Sequence, residues 1–266
     1  MIVTAWTVRR EMQMPTVTFS YTITASLAAP VSHFGYAVRV PSDTGRQLLR
    51  RQHLAFPEGG PKLEKLDPLG NRILTGIHRG TSARLAFTVS GKARIEPDQA
   101  EEGSMELYNG QTFRTGAGGL LRSCYLHHSA VGDAPDRTRH FCLMLRDEFS
   151  CRRGLPSHRT AEEAMEDHIG PPEDLAHIVL SLCRMDHIMA RYVTGISGQG
   201  ASVWVEVWNG SHWIPIDPAT AQICDHRYLK IAHGRDGGDV ILIALSNGCT
   251  VSRAEMHSTL TVDHAH

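Results

Sequence analysis

No two of the six cysteines in this 266-residue chain form a Cys-x-x-Cys pair; they stand at 124, 142, 151, 183, 224 and 249. That spacing fits no zinc knuckle or ribbon. Long apolar runs are missing too. The longest, such as Val240 to Leu245, are far too short to cross a bilayer. The opening MIVTAWTVRREMQM has no apolar stretch after its charges, so a signal peptide is not expected. Charge of one sign is also lacking. The formal net charge is −1, with no basic excess for nucleic acid and no acidic tail for a cationic partner. These absences lead us to expect a cytoplasmic protein with no nucleic-acid or membrane partner, whose cysteines are reduced and mostly buried.

What is present is ordinary for a globular chain, with 41 % hydrophobic and 21 % charged residues. This length can form one large domain or two small ones, and either can bury a core. Histidine is plentiful, at 16 residues. His127-His128 and His264-Ala265-His266 are the pairs that could bind a metal, but neither is followed by ligands at a recognisable spacing. No metal and no cofactor is therefore assigned.

The chain changes character along its length. Val17, Phe19, Tyr21 and Ile23 alternate with Thr16, Thr18, Ser20 and Thr22, the pattern of a half-buried strand. Gly35 to Val40 continues it, Asp67-Pro68-Leu69-Gly70-Asn71 marks a turn, and Ile73 to Ile77 and Leu85, Phe87 and Val89 give further strands. The first hundred residues thus read as an antiparallel β unit. A polar, glycine-rich stretch from Gln99 to Gly119 follows, the natural junction, and the division is placed at 1–115 and 116–266. Helical patterning comes next. Thr160-Ala161-Glu162-Glu163 is a capping box. Gly170-Pro171-Pro172 ends that helix and opens another, in which Glu173 and Asp174 face the positive end of the dipole. Leu175, Ile178, Val179 and Leu182 form one apolar stripe along it. Strands are expected at Tyr192-Val193, Val203 to Trp208, Trp213 to Ile216 and Val240 to Leu245.

The stretch from Gly170 to Thr220 resembles bacterial transglutaminase-like proteins. That family opens a helix on Gly-x-Cys-x-Asp-x-Ala-His and continues into Ala-Arg-Tyr-Val-x-Gly-Tyr. It then has a strand with His-Ala-Trp-Val-Glu-Val and a second with Trp-x-x-x-Asp-Pro-Thr. Asp174, Ala176, His177, Ala190, Arg191, Tyr192, Val193 and Gly195 match here. So do Trp204, Val205, Glu206, Val207, Trp213, Asp217, Pro218 and, after one extra alanine, Thr220. Leu121 to Tyr125, the tail around Asp225-His226-Arg227-Tyr228, Gly234-Arg235-Asp236 and Asp239-Val240, and the Asp67 to Asn71 turn resemble the family's flanks. The resemblance covers nearly the whole chain. It implies an α+β fold: an N-terminal antiparallel β domain followed by a papain-like transglutaminase core.

The family's chemistry uses a cysteine at a helix N-terminus, a histidine that pairs with it and an aspartate that orients the histidine. In this sequence Pro172 matches the cysteine, Ser202 matches the histidine, and Asp217 matches the aspartate. Proline has neither a nucleophile nor a proton to offer. The nearest cysteine along the helix is Cys183, roughly 16 Å away at 1.5 Å per residue and beside the apolar stripe. No histidine stands between residues 196 and 211. The resemblance therefore implies that thiol-dependent acyl transfer, transglutamination and cysteine proteolysis are absent.

Two readings follow. In the first, the cleft is reused for acid/base chemistry on a small organic substrate: cyclisation, isomerisation or elimination. Asp217 is its principal group, with Ser202, His168 and Glu173 assisting, and Trp204 and Pro172 contacting substrate. In the second, the protein is a pseudoenzyme that binds a small ligand or a protein partner without turnover, and Asp174, His177, Arg191, Trp204 and Glu206 serve only the fold. Each candidate also has a structural role open to it. His168 can be a solvated residue between helices, Glu173 can answer the helix dipole, Ser202 can fill a strand, and Asp217 can be a buried acceptor. The sequence favours the first reading slightly, because no interaction module is appended.

Overall fold

A computed structural model of the chain describes residues 16–57, 63–96, 106–128, 131–246 and 248–263. The His264–His266 pair considered for metal binding lies outside them. So do the first fifteen residues and part of the junction.

The alternation near the start produces a 16-residue strand, β1 (Thr16–Val31). Val17, Phe19, Tyr21 and Ile23 turn inward and are almost fully buried, while the intervening threonines and serine stay half-exposed. Strands β2 (Phe34–Arg39), β3 (Gln47–Ala55), β4 (Leu63–Leu66), β5 (Arg72–His78) and β6 (Ser82–Ile95) follow. β1 pairs antiparallel with β6, with Ile23 opposite Phe87 and Tyr21 opposite Val89, so one face of that pair is a continuous apolar surface. β2, β5 and β4 build a second sheet against it. Phe34, Tyr36 and Val38 fill the space between the two sheets, and Tyr36, Phe56 and Phe87 meet edge to face.

The helical half begins with α1 (Gly119–His127) and α2 (Ala134–Glu148). A two-residue strand β7 (Ser150–Cys151), helix α3 (Ala161–Asp167), a two-residue strand β8 (Ile169–Gly170) and helix α4 (Pro172–Met185) come next. The capping box at α3 is complete. Thr160 accepts from the Glu163 amide, and Glu163 accepts from the Thr160 amide. α4 starts directly on its proline, which needs no hydrogen bond at that position. Its residues from Asp174 to Arg184 are buried. The stripe Leu175, Ile178, Val179 and Leu182 lies in the core, where each such side chain is worth about 1.5–3 kcal/mol.

A five-stranded antiparallel sheet receives α4. Its strands are β9 (Ala190–Ser197), β10 (Gly200–Trp208), β11 (Trp213–Asp217), β12 (Gln222–Ile223) and β13 (Tyr228–Gly234), in the order β12-β11-β10-β9-β13. The ring of Tyr192 stacks on His177 of α4 at 5.1 Å, which fixes the face that α4 covers. Tyr192 is opposite Val205, whereas Trp204 is opposite Val193 and therefore points from the other face.

The last two strands return to the N-terminal sheets. β14 (Ile243–Leu245) pairs with β2, and β15 (Val251–Asp263) pairs with β1 along nearly its whole length. A division by chain position at 115/116 therefore differs from the division by hydrogen bonding, which groups residues 243–263 with the N-terminal unit. The strand expected at 240–245 begins only at Ile243. The fold is α+β, with a papain-like core carrying an antiparallel β unit.

Candidate functional site

The α4 N-terminus, where the family resemblance places its nucleophile, presents Pro172 and Glu173, both half-buried. Glu173 sits in the first turn with Asp174, where a carboxylate answers the helix dipole. Asp174 is buried and more heavily engaged. Its carboxylate accepts from the Ser157 hydroxyl at 2.5 Å, from the His158 amide at 3.1 Å and from His158 Nδ1 at 2.5 Å. His158 Nε2 lies 2.8 Å from Asp167. These bonds to Asp174 and then Asp167 raise the imidazole above its ordinary range. The group ties the 157–158 loop to the start of α4.

Asp217 closes β11. Its Oδ2 accepts from the Tyr228 hydroxyl at 2.8 Å, and its Oδ1 accepts from the Ala219 amide at 2.9 Å. The Tyr228 ring meets Trp204 edge to face at 5.5 Å, so the Asp217–Tyr228 pair lies on the Trp204 face of the sheet. Burial, and then the bond to Asp217, push the Tyr228 hydroxyl well above the usual phenol range, so it donates and stays protonated. Trp204 is 2 % exposed and packs with Val193 and Cys224. Ser202 is on that same face by alternation. Its hydroxyl bonds Ser197 at 2.8 Å and donates to the Gly200 carbonyl at 3.1 Å, closing the turn between β9 and β10.

His168 is placed elsewhere. It caps the C-terminus of α3 in a left-handed conformation, φ 53°, is exposed, and its Nδ1 lies 3.0 Å from the Glu148 carbonyl. It borders a shallow surface depression with His127, His128 and Cys124. The structure therefore brings Asp217 to Tyr228, Ser202 to Ser197, Glu173 to the first turn of α4 and His168 to Glu148. Among the described residues no hydrogen bond joins any two of these four candidates.

Cys151, in β7, was not singled out by the sequence. β7 pairs with β8 directly ahead of α4, and this brings the half-buried thiol within electrostatic reach of Asp217, Glu173 and Asp174. Burial is the main cause that pushes this thiol up to about 11. It is therefore protonated at neutral pH and a poor nucleophile. Its neighbourhood depends on β7–β8 pairing between segments some twenty residues apart, and no local sequence pattern announces it. Cys183 is wholly buried and bonds Thr138, in keeping with a packing role.

Two matched residues, Arg191 and Glu206, form a buried charge cluster with Lys230. Glu206 accepts from Arg191 Nε at 2.7 Å and from Lys230 Nζ at 3.1 Å, and all three are nearly sealed from solvent. Burial opposes ionisation of Glu206, but Arg191 and then Lys230 outweigh it and hold the carboxyl well below its ordinary range. His177 accepts from the Gly237 amide through Nε2 at 3.0 Å, and burial lowers its imidazole to about 4. Among the described residues, no group of three or more histidine, cysteine or acidic side chains is arranged to hold a metal ion.

Residues 128–218 match the Transglutaminase-like superfamily. A crystal structure of a candidate cysteine protease from Cytophaga hutchinsonii superposes with a TM-score of 0.78 over 96 % of this chain and 92 % of that one, at 16 % identity; this is a likeness of fold. Uncharacterized proteins of Mycobacterium tuberculosis (strain H37Rv) and Mycobacterium bovis are each 25 % identical over 121 residues. The match spans 38 % of this chain and 38 % of the length of those relatives. Among the described residues no helix is long and apolar enough to cross a membrane.

Proposed function

We propose that this protein is a transglutaminase-like protein without thiol chemistry at the α4 N-terminus, and that it binds a ligand without turning it over. The observation that carries this reading is the placement of Pro172 at the first position of α4, while Asp217, Ser202 and His168 are each hydrogen-bonded within the protein. A catalytic constellation needs groups that converge on one reacting atom. The one thiol near the helix start, Cys151, is held in its protonated form. Asp174, His177, Trp204 and Glu206 then serve the fold, and their burial supports this.

A second reading is favoured by one contact. The Tyr228 hydroxyl against Asp217 pairs a phenol donor with a carboxylate, which is a usable acid/base couple for cyclisation, isomerisation or elimination of a small organic substrate. Cytoplasmic location and a protein partner belong to the first reading as further proposals.

The test is an assay for amide and ester hydrolysis and for amine incorporation into a glutamine peptide, with the parent protein and Cys151→Ser. No turnover in either is expected. Turnover in the parent that disappears in Cys151→Ser would overturn the proposal. A metabolite mixture whose components are consumed by the parent but not by Asp217→Asn would replace it with the acid/base reading.

A further inference from the structure

Polar groups also converge on a space away from Asp217. It is a cavity of about 290 Å³ at the opposite end of β11 and β13, between the N-terminal β unit and the core sheet. That size is near the lower end of small-molecule sites, roughly 300–1,000 Å³. The core sheet contributes Arg191, Trp213, Lys230 and His233 to its wall, and Tyr108 and Asn71 close it from other segments.

The wall is cationic and fixed. The Arg191 guanidinium lies 4.3 Å from the centre of the Trp213 ring and is tied to Glu206, and Lys230 is tied to the same carboxylate. These bonds lock both cations in place rather than leaving them mobile. Tyr108 meets Trp213 edge to face at 5.4 Å. Asn71 clamps the main chain of His233 in both directions, accepting from its amide at 2.8 Å and donating to its carbonyl at 2.8 Å. One acid, Asp43, also lines the cavity, and its carboxylate accepts from the Leu49 amide at 2.7 Å. The local field has a sign. His233 is held neutral first by burial and then by Arg191 and Lys230, whose joint effect exceeds the opposing pull of Glu206.

We propose that this cavity is a binding site for a small organic anion, whose carboxylate or phosphate head faces Arg191 and Lys230 and whose body lies against Trp213 and Tyr108. A rigid positive wall recessed from water strengthens attraction to an anion and costs no reorganisation on binding. An aromatic edge beside it favours a ligand with an apolar body. The site gives a ligand class to the binding reading above and rests on that reading for its biological purpose. Its existence is tested independently of whether the core performs thiol chemistry.

The experiment is a titration of the full chain with inorganic phosphate and, separately, with benzoate. Melting temperature and Trp fluorescence are followed, and sodium chloride of equal ionic strength is the control. Saturable stabilisation by at least one anion beyond the chloride control is expected. Lys230→Met should weaken it by about tenfold or more. Ser42→Trp fills the cavity mouth and leaves the cations in place, so it should abolish binding even if Lys230→Met folds poorly. Response to phosphate alone assigns a phosphate head, and response to benzoate alone assigns a carboxylate. No saturable effect of either anion, or binding unchanged in Ser42→Trp, would overturn the proposal. Neither result alters the outcome of the amide-hydrolysis assay.

Discussion

The hydroxyl of Tyr228 donates a 2.8 Å hydrogen bond to Asp217, spanning from β13 to β11 over the ring of Trp204. Among the candidate groups, this is the contact that joins a titratable side chain to a second one of complementary chemistry. Removing the donor leaves a half-buried carboxylate with the Ala219 amide and water. Tyr228→Phe should therefore cost about 1–3 kcal/mol of stability, measured by urea denaturation. Asp217→Asn should cost less, because an amide oxygen still accepts from Tyr228. Equal and negligible losses in both would show that the bond contributes nothing to the fold.

Glu206 balances Arg191 and Lys230 in a sealed interior. Glu206→Ala strands two buried cations and should cost roughly 3–5 kcal/mol, whereas Glu206→Gln keeps the shape and loses only the charge. Denaturation midpoints of the two variants should separate, with the alanine variant lower. A wild-type midpoint for Glu206→Ala would mean that water reaches the cluster.

His177 gives the protein an acid sensitivity of predictable sign. Its folded-state value is lowered to about 4 by burial, against about 6.5 in an unfolded chain. The unfolded state therefore binds the proton more readily. Stability is fully present above pH 6.5 and declines as pH falls toward 4, by about 3 kcal/mol from this group. His177→Gln should flatten stability over that interval. A slope between pH 6.5 and 4 as steep as the parent's would assign the effect to other groups.

Thr160 caps α3 with both halves of its box formed, so Thr160→Ala should cost about 1 kcal/mol. Thr160→Ser should recover most of it, read as the shift in melting temperature.

Much of the architecture could be read from the chain because the signals were local. The β1 alternation, the capping box at Thr160 and the apolar stripe of α4 each depend on residues within a turn or two of one another, and all three are formed. The resemblance between Gly170 and Thr220 pointed to the right core for a related reason: motif order along the chain survives in the order of elements. The site was less legible. Ser202 and Asp217 were identified by motif, but their partners Ser197 and Tyr228 come from strand register. Tyr228 stood in the quoted tail without a role attached to it.

The sequence by itself determined the alternating strand β1, the start of α3, the start and apolar stripe of α4 and the absence of a thiol at that start, because helix starts, strand alternation and side-chain identity are properties of neighbouring residues. Only the tertiary structure decided that β14 and β15 return to the N-terminal sheets. It alone brought Cys151 near Asp217 and Glu173, placed His168 on Glu148, and faced Arg191, Lys230 and His233 into one cavity. The reason is physical. Such contacts are made by burying faces against partners far apart in the chain, and no local preference encodes which distant face will cover them.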